Sequence, residues 1–426
     1  MNPTPAEAIQ VDDFLPARRS LRVAVVTETY PPEVNGVAAT IARVVDGLRQ
    51  RGHQLQLVRP RQDPAPATDA ATAAPPAALL DEVLLRGLPI PRYPQLKMGL
   101  PARRALLRLW AAQRPDVVHL VTEGPLGWSA LQAARTLRLP VVSDFRTNFH
   151  AYSAHYGVGW LRAPVMAYLR KFHNRTACTM VPTVALQGEL AGAGFERLRV
   201  VARGVDTQLF DPARRSDTLR ASWGAGPGTV VALCVGRLAP EKNLGTVVAA
   251  AQTMAAALGA AGPGDAPRLR LVLVGDGPER TRLQQRCPDA VFAGLRRGED
   301  LAAHYASADV FLFPSTTETF GNVVPEAMAS GLAVLAYDHA AAGQLIQAGI
   351  NGLLVRLDDT AAFCSAAQRL AGTPLYLRAL GLQARATAAR LGWGHIVAAI
   401  EGEYAAAMAR APGTAGAGLS TALPSA

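Results

Sequence analysis

The sequence predicts an α/β protein of two doubly wound domains, each a parallel sheet with helices on both faces. Two observations carry this. Short apolar runs alternate with helix-period patterns, once in each half of the chain. The 426 residues also suffice for two ordinary domains, each with its own core. Half the residues are apolar, yet no uninterrupted apolar stretch reaches membrane-spanning length.

Residues 1–20 are expected to be a disordered N-terminus. Glu7, Asp12, Asp13, Arg18 and Arg19 interrupt any apolar core a secretory signal would need, which points to a cytoplasmic protein. The first domain is placed at 21–210. Leu21–Thr27 reads as its opening strand, and Ile41, Val44, Val45 and Leu48 mark one face of the helix that follows. Gly52 then suits a C-terminal cap before the strand Leu55–Val58. Gln62–Ala78 is Ala/Pro-rich and reads as a surface loop. Asp116–Val121, Val141–Phe145 and Cys178–Val181 continue the strand series. Polar, Gly and Pro residues at 211–227 suggest a linker.

The second domain is placed at 228–385, with strands at Val230–Val235, Arg270–Val274, Val291–Ala293, Asp309–Phe313, Leu332–Ala336 and Gly352–Val355. A closing helix, Trp393–Met408, falls within 386–410, and 411–426 is expected to be a disordered tail. Cys178, Cys234, Cys287 and Cys364 lack metal-type spacing and read as reduced core residues.

The formal net charge of +10 suits nucleic acid, an anionic membrane surface or a phosphorylated substrate. Nearly every cation is Arg. Lys97, Lys171 and Lys242 are the only lysines, which makes Lys242 informative where it stands. It closes Gly236-Arg237-Leu238-Ala239-Pro240-Glu241-Lys242-Asn243, directly after a strand and before a helix. Ligands of open α/β sheets bind at that edge, and an Arg fork beside a mobile Lys suits a diphosphate.

Glu318 and Glu326 bracket a second turn, Glu318-Thr319-Phe320-Gly321-Asn322-Val323-Val324-Pro325-Glu326, after the strand Asp309–Phe313. Pro325 puts a helix start near Asn322, so Glu318 belongs to the loop and Glu326 to the opening turns. Free N–H groups at that start can hold a phosphate while the carboxylates accept from sugar hydroxyls. In the first domain, Gly36 in Tyr30-Pro31-Pro32-Glu33-Val34-Asn35-Gly36 would let a phosphate approach the backbone. That loop lacks the Lys-Ser/Thr of a P-loop, and no G-x-G-x-x-G opens the first helix, which argues against an NTPase and a dehydrogenase. The cations sit at strand ends rather than among aromatics on one face, which argues against nucleic acid as partner.

These two motifs resemble those of the family 4 retaining glycosyltransferases, whose fold is called GT-B. The first-domain loop and Arg146-Thr147-Asn148-Phe149-His150 look most like bacterial α-mannosyltransferases using GDP-mannose. The resemblance implies that Arg237 and Lys242 bind the donor diphosphate, with Glu318, Phe320, Gly321, Asn322, Glu326 and Gly36 completing the donor site. It implies that Gly275 and Arg296 line the base and ribose pocket, and that Glu318, His150, Arg237 and Lys242 take part in catalysis. Arg146 stands where the family carries a His, so either it or His150 faces the donor sugar. His119 and Glu123 would lie on the acceptor side, with Arg146. The implied cosubstrate is a nucleotide sugar, GDP-mannose or alternatively a UDP-sugar, with no cofactor and no metal. The last helix is expected to cross back onto the first domain. The basic, apolar stretch Gly157–Arg175 suits either a core-facing helix or an anionic membrane surface presenting a lipid-linked or saccharide acceptor.

Overall fold

The computed structural model describes residues 20–33, 35–62, 80–90, 93–146, 162–260, 262 and 266–410. Of the predicted features, His150, the loop Gln62–Ala78 beyond its first residue, the start of the basic stretch and both termini lie outside them.

The first domain carries β1 (Arg22–Val26), β2 (Gln54–Pro60), β3 (Leu80–Leu85), β4 (Gly87–Ile90), β5 (Tyr93–Gly99), β6 (Val117–Leu120), β7 (Val141–Asp144), β8 (Cys178–Val181) and β9 (Leu198–Val200). All but β4 and β5 form one parallel sheet in the order β3-β2-β1-β6-β7-β8-β9. The remaining pair is an antiparallel hairpin. The second domain is a parallel sheet of β10 (Val230–Val235), β11 (Leu269–Val274), β12 (Val291–Gly294), β13 (Val310–Phe313), β14 (Ala333–Tyr337) and β15 (Leu353–Val355), ordered β12-β11-β10-β13-β14-β15. Strand order reverses between β1 and β6 and between β10 and β13, which makes the carboxyl ends of these four strands the natural ligand edge. Both second-domain motifs leave β10 and β13.

The central strands form because Val, Leu and Phe runs bury both faces: every residue of β10 and of β13 is buried. The helix Gly36–Gln50 buries Ile41, Val44, Val45 and Leu48, as the spacing predicts, and Asn35 caps it by accepting from the Val37 and Ala38 amides.

Two features differ from the sequence reading. Residues 211–227 do not act as a linker: a 3-10 turn (Pro212–Arg214) and a short helix (Asp217–Ser222) set Phe210, Trp223 and Ala225 into the second domain's core. The chain instead crosses between domains near Val205, which pairs with Gly392. The closing helix, Trp393–Ala409, starts where expected, but the segment placed at 386–410 begins with the end of the helix Pro374–Ala388 and a 3-10 turn, Ala389–Leu391. Its Val397, Ile400, Tyr404 and Ala407 pack into the core of the first domain, so this helix does cross back.

Candidate active site

The segment after β10 turns through a 3-10 helix, Pro240–Lys242, with Pro at its start, and Asn243 takes a left-handed conformation before the helix Leu244–Leu258. This fold aims two cations differently. Arg237 bonds to Glu241, a carboxylate only 2 % exposed, which anchors one side of the guanidinium. Lys242 Nζ donates to Glu318 Oε1, joining the two motifs across the switch point of the sheet. Ser315 Oγ donates to the same carboxylate oxygen at 2.8 Å. Burial pushes the Glu318 carboxyl up, but Lys242 and Ser315 outweigh it and hold the group below its ordinary range. Glu241 and Ser315 carried no motif signal of their own; both act on a motif residue.

Gly321 bends the loop at φ 87°, a conformation that disfavours any other residue. Asn322 then stands at the N-cap position of the helix Val323–Ala329, with no side-chain capping bond. Glu326, in that helix, accepts from Tyr305 Oη at 2.9 Å. Burial raises its carboxyl to about 7 against that hydrogen bond. Phe320 contributes backbone only, because its ring is 1 % exposed and packs in the core. Across the cleft, Asn322 Nδ2 lies 3.4 Å from Thr40 Oγ1, and a Cβ on Gly36 would sit 3.7 Å from the same nitrogen. The first-domain loop and the Glu318–Glu326 turn therefore face each other. Thr317 Oγ1, Asn322 Oδ1 and His339 Nε2 are buried without a hydrogen-bond partner among the described residues.

Gly275 has a packing reason to be glycine: a Cβ there would run into the Gly236 carbonyl. Arg296 is exposed after β12, where it donates to the Ala293 carbonyl at 2.8 Å and to Asp300 at 3.1 Å.

The first-domain side is organised by Asp144, at the end of β7. It accepts from Arg146 Nε at 2.6 Å and pairs with His119 Nε2 at 2.9 Å. His119 Nδ1 in turn meets Tyr404 Oη of the closing helix at 2.8 Å. Asp144 is 5 % exposed; burial would raise its carboxyl, but Arg146 and His119 hold it well below the usual range. His119 and Glu123 are corrected by this geometry. His119 is fully buried, and Glu123, 4 % exposed, lies 3.3 Å from His173 Nε2, so neither side chain is open to an acceptor. They brace the wall that carries Arg146. Arg203, on the interdomain crossing, was not found from the sequence; it is 8 % exposed beside Arg146, with its guanidinium 5.7 Å from the Phe320 ring centroid.

A cleft with two cations on one wall, each paired with a carboxylate, and a glycine loop opposite can hold a sugar nucleotide and stabilise charge on its leaving diphosphate. Comparison with known proteins agrees. A profile of Glycosyltransferase Family 4 matches residues 34–209, and one of glycosyl transferases group 1 matches 229–373. The chain is 38% identical over 342 residues to a GDP-mannose-dependent alpha-mannosyltransferase of Mycobacterium tuberculosis, covering 80% of this chain and 85% of that protein. It is 34% identical over 394 residues to a protein of the same name from Mycolicibacterium smegmatis, covering 92% and 98%. Sucrose-phosphate synthase from Thermosynechococcus elongatus shares the fold, with a TM-score of 0.71 at 19% identity, over 92% of this chain and all of that one.

Proposed function

Because this chain belongs to glycosyltransferase family 4 and is a hexosyltransferase using a nucleotide sugar, we propose that it moves mannose from GDP-mannose to a hydroxyl of a lipid-linked or saccharide acceptor. The observation that carries the mechanism is the Lys242–Glu318 contact between the two motifs, set opposite Gly36. Donor binding would exchange that contact: the diphosphate takes Lys242 and the exposed side of Arg237, and Glu318 turns to sugar hydroxyls. Backbone N–H groups at Gly321–Val323 and at the Gly36 helix start add fixed positive dipoles on either side. As the glycosidic bond breaks, negative charge collects on the diphosphate, where these groups already point. No side chain is needed as a covalent nucleophile. The departing phosphate oxygen takes the acceptor's proton on the same face, so the configuration at the anomeric carbon is retained. Turnover of a panel of nucleotide sugars without acceptor tests the donor: GDP-mannose should be consumed fastest. Consumption of a UDP-sugar with none of GDP-mannose would transfer the reading to that donor and leave the site standing.

Glu326 is suited to accept from ribose hydroxyls, for which it must ionise. Its carboxyl sits at about 7, so GDP affinity should strengthen as pH rises through 7 and level off above it. Glu326→Gln should flatten that step. The sign for stability is opposite: the folded value lies above the unfolded one, so the folded state loses stability as pH rises from about 4.5 to 7. A pH-independent GDP affinity in the wild type, measured by calorimetry from pH 5.5 to 8.5, would remove this role.

In the helix Arg162–His173, Leu169 and Phe172 face the core, which leaves Tyr168 and Lys171 on the exposed side. No helix among the described residues is long and apolar enough to cross a membrane. With a net charge of +10, the protein should sediment with anionic vesicles at low salt and leave them as salt rises. Equal partitioning to neutral vesicles would argue for a water-borne acceptor.

A further inference from the structure

Buried arginines in this protein are normally neutralised. Arg220, 5 % exposed, pairs with Asp309 at 3.1 Å and donates to the carbonyls of Ser307 and Thr229. Arg203, 8 % exposed, is different. It has no carboxylate partner among the described residues, and its one hydrogen bond there is a long 3.5 Å contact to the Arg146 carbonyl. The nearby negative charges are committed elsewhere. Asp144 is gripped by Arg146 Nη2 at 2.5 Å and shared with His119, and Glu318 is taken by Lys242. Two guanidiniums thus stand against one carboxylate at the inner end of the cleft, and a buried unpaired charge is among the costlier features a fold can carry. Burial first, then the like charge of Arg146, lowers the Arg203 guanidinium to about 9. Arg203 also borders a small open pocket of about 20 Å³, shared with Thr40, Asp144, Arg146 and Trp393. Thr40 is the residue that meets Asn322 of the Glu318–Glu326 turn, so this pocket continues the donor cleft.

We propose that Arg203 and Arg146 form an oxyanion subsite of the cleft, which takes a carboxylate, sulfonate or phosphate group brought by a substrate. The proposal rests on the sugar-nucleotide reading of the cleft and adds to it a second oxyanion contact, apart from Arg237 and Lys242. That oxyanion has two sources: the donor's own diphosphate, or an acidic group on the acceptor. A carboxylate or sulfonate on the acceptor would pair with the guanidinium fork in plane.

Calorimetry on the full chain separates these cases. GDP is titrated into wild type, Arg203→Gln and Arg203→Lys, and sulfate is then titrated into each protein saturated with GDP. Arg203→Gln should lose at least tenfold in one of the two affinities, and Arg203→Lys should keep part of it. Loss confined to GDP assigns the subsite to the donor; loss confined to sulfate assigns it to an acidic acceptor. The midpoint of thermal unfolding gives an independent readout. Removal of an unpaired buried charge should leave it unchanged or raise it, whereas a strut packed on Phe320 would lower it. The proposal is overturned if both affinities of Arg203→Gln stay within twofold of wild type, or if the midpoint falls in both variants while binding is kept. A wild type that binds neither GDP nor GDP-mannose would defeat the donor reading instead, with the sulfate arm still deciding Arg203.

Discussion

Lys242→Met should lower kcat by about 10²–10³-fold with little change in fold, the loss seen when one preorganised donor to a developing oxyanion is removed. The reason is positional. Lys242 follows a 3-10 turn that fixes its backbone, and its ammonium already meets a carboxylate at the cleft, so little rearrangement is needed to reach a leaving phosphate. Met keeps an unbranched aliphatic stem of similar length while removing the charge, which lies 5.9 Å from the Phe313 ring centroid, so packing is largely preserved. Glu318→Gln makes the companion test. It weakens the carboxylate contact that competes with a phosphate for Lys242, so GDP should bind as well as or better than in wild type while turnover of the sugar falls. Wild-type turnover in Lys242→Met would remove the leaving-group account.

Asp144→Ala should destabilise the first domain by about 3–5 kcal/mol, because it strands the buried guanidinium of Arg146 and unties His119 from the wall. An effect of that size lowers the first-domain melting midpoint on the order of 10 °C. The pH dependence gives a sharper signature. The folded carboxyl is held below its ordinary value, so its contribution is complete above about pH 4 and is lost as pH falls further. The variant should therefore differ most from wild type at neutral pH and converge with it in acid. Asp144→Asn, which keeps the volume and one acceptor, should lose less. Thermal melts of all three proteins at pH 7 and near pH 3 check this; equal melting of wild type and Asp144→Ala at pH 7 would contradict the buried network.

Much of this was legible in the sequence for a physical reason. A strand buried on both faces must be a run of apolar residues, so β10 and β13 could be read directly, and the switch point brought the turns that follow them together. Strand β3 escaped notice because it lies at the sheet's edge, where Asp81 and Glu82 are exposed and break the run. Residues 211–227 resembled a linker because Pro, Gly and charged residues dominate them; single anchors, Phe210 and Trp223, do the packing and leave no periodic trace. At the site, Lys242 and Glu318 are 76 residues apart, yet each sits in a strand-end motif that announces itself. Arg203 sits in no such motif. Its meaning comes from a neighbour 57 residues away and from the lack of a carboxylate paired with it among the described residues, which only the folded chain reveals. His119 differs in the opposite way: family resemblance set it on the acceptor side, and β6 buries it completely.

The central claim is that this cleft releases mannose from GDP-mannose with retained configuration, using side chains and helix dipoles to hold the leaving group. Proton NMR of the purified protein turning over GDP-α-mannose in the presence of a chelator reads each part at once. The account predicts that the donor is consumed at an unchanged rate in chelator and that α-mannose, or an α-mannoside when acceptor is present, is the first anomer to appear. A β product, or consumption that stops in chelator and resumes with magnesium or manganese, would contradict it.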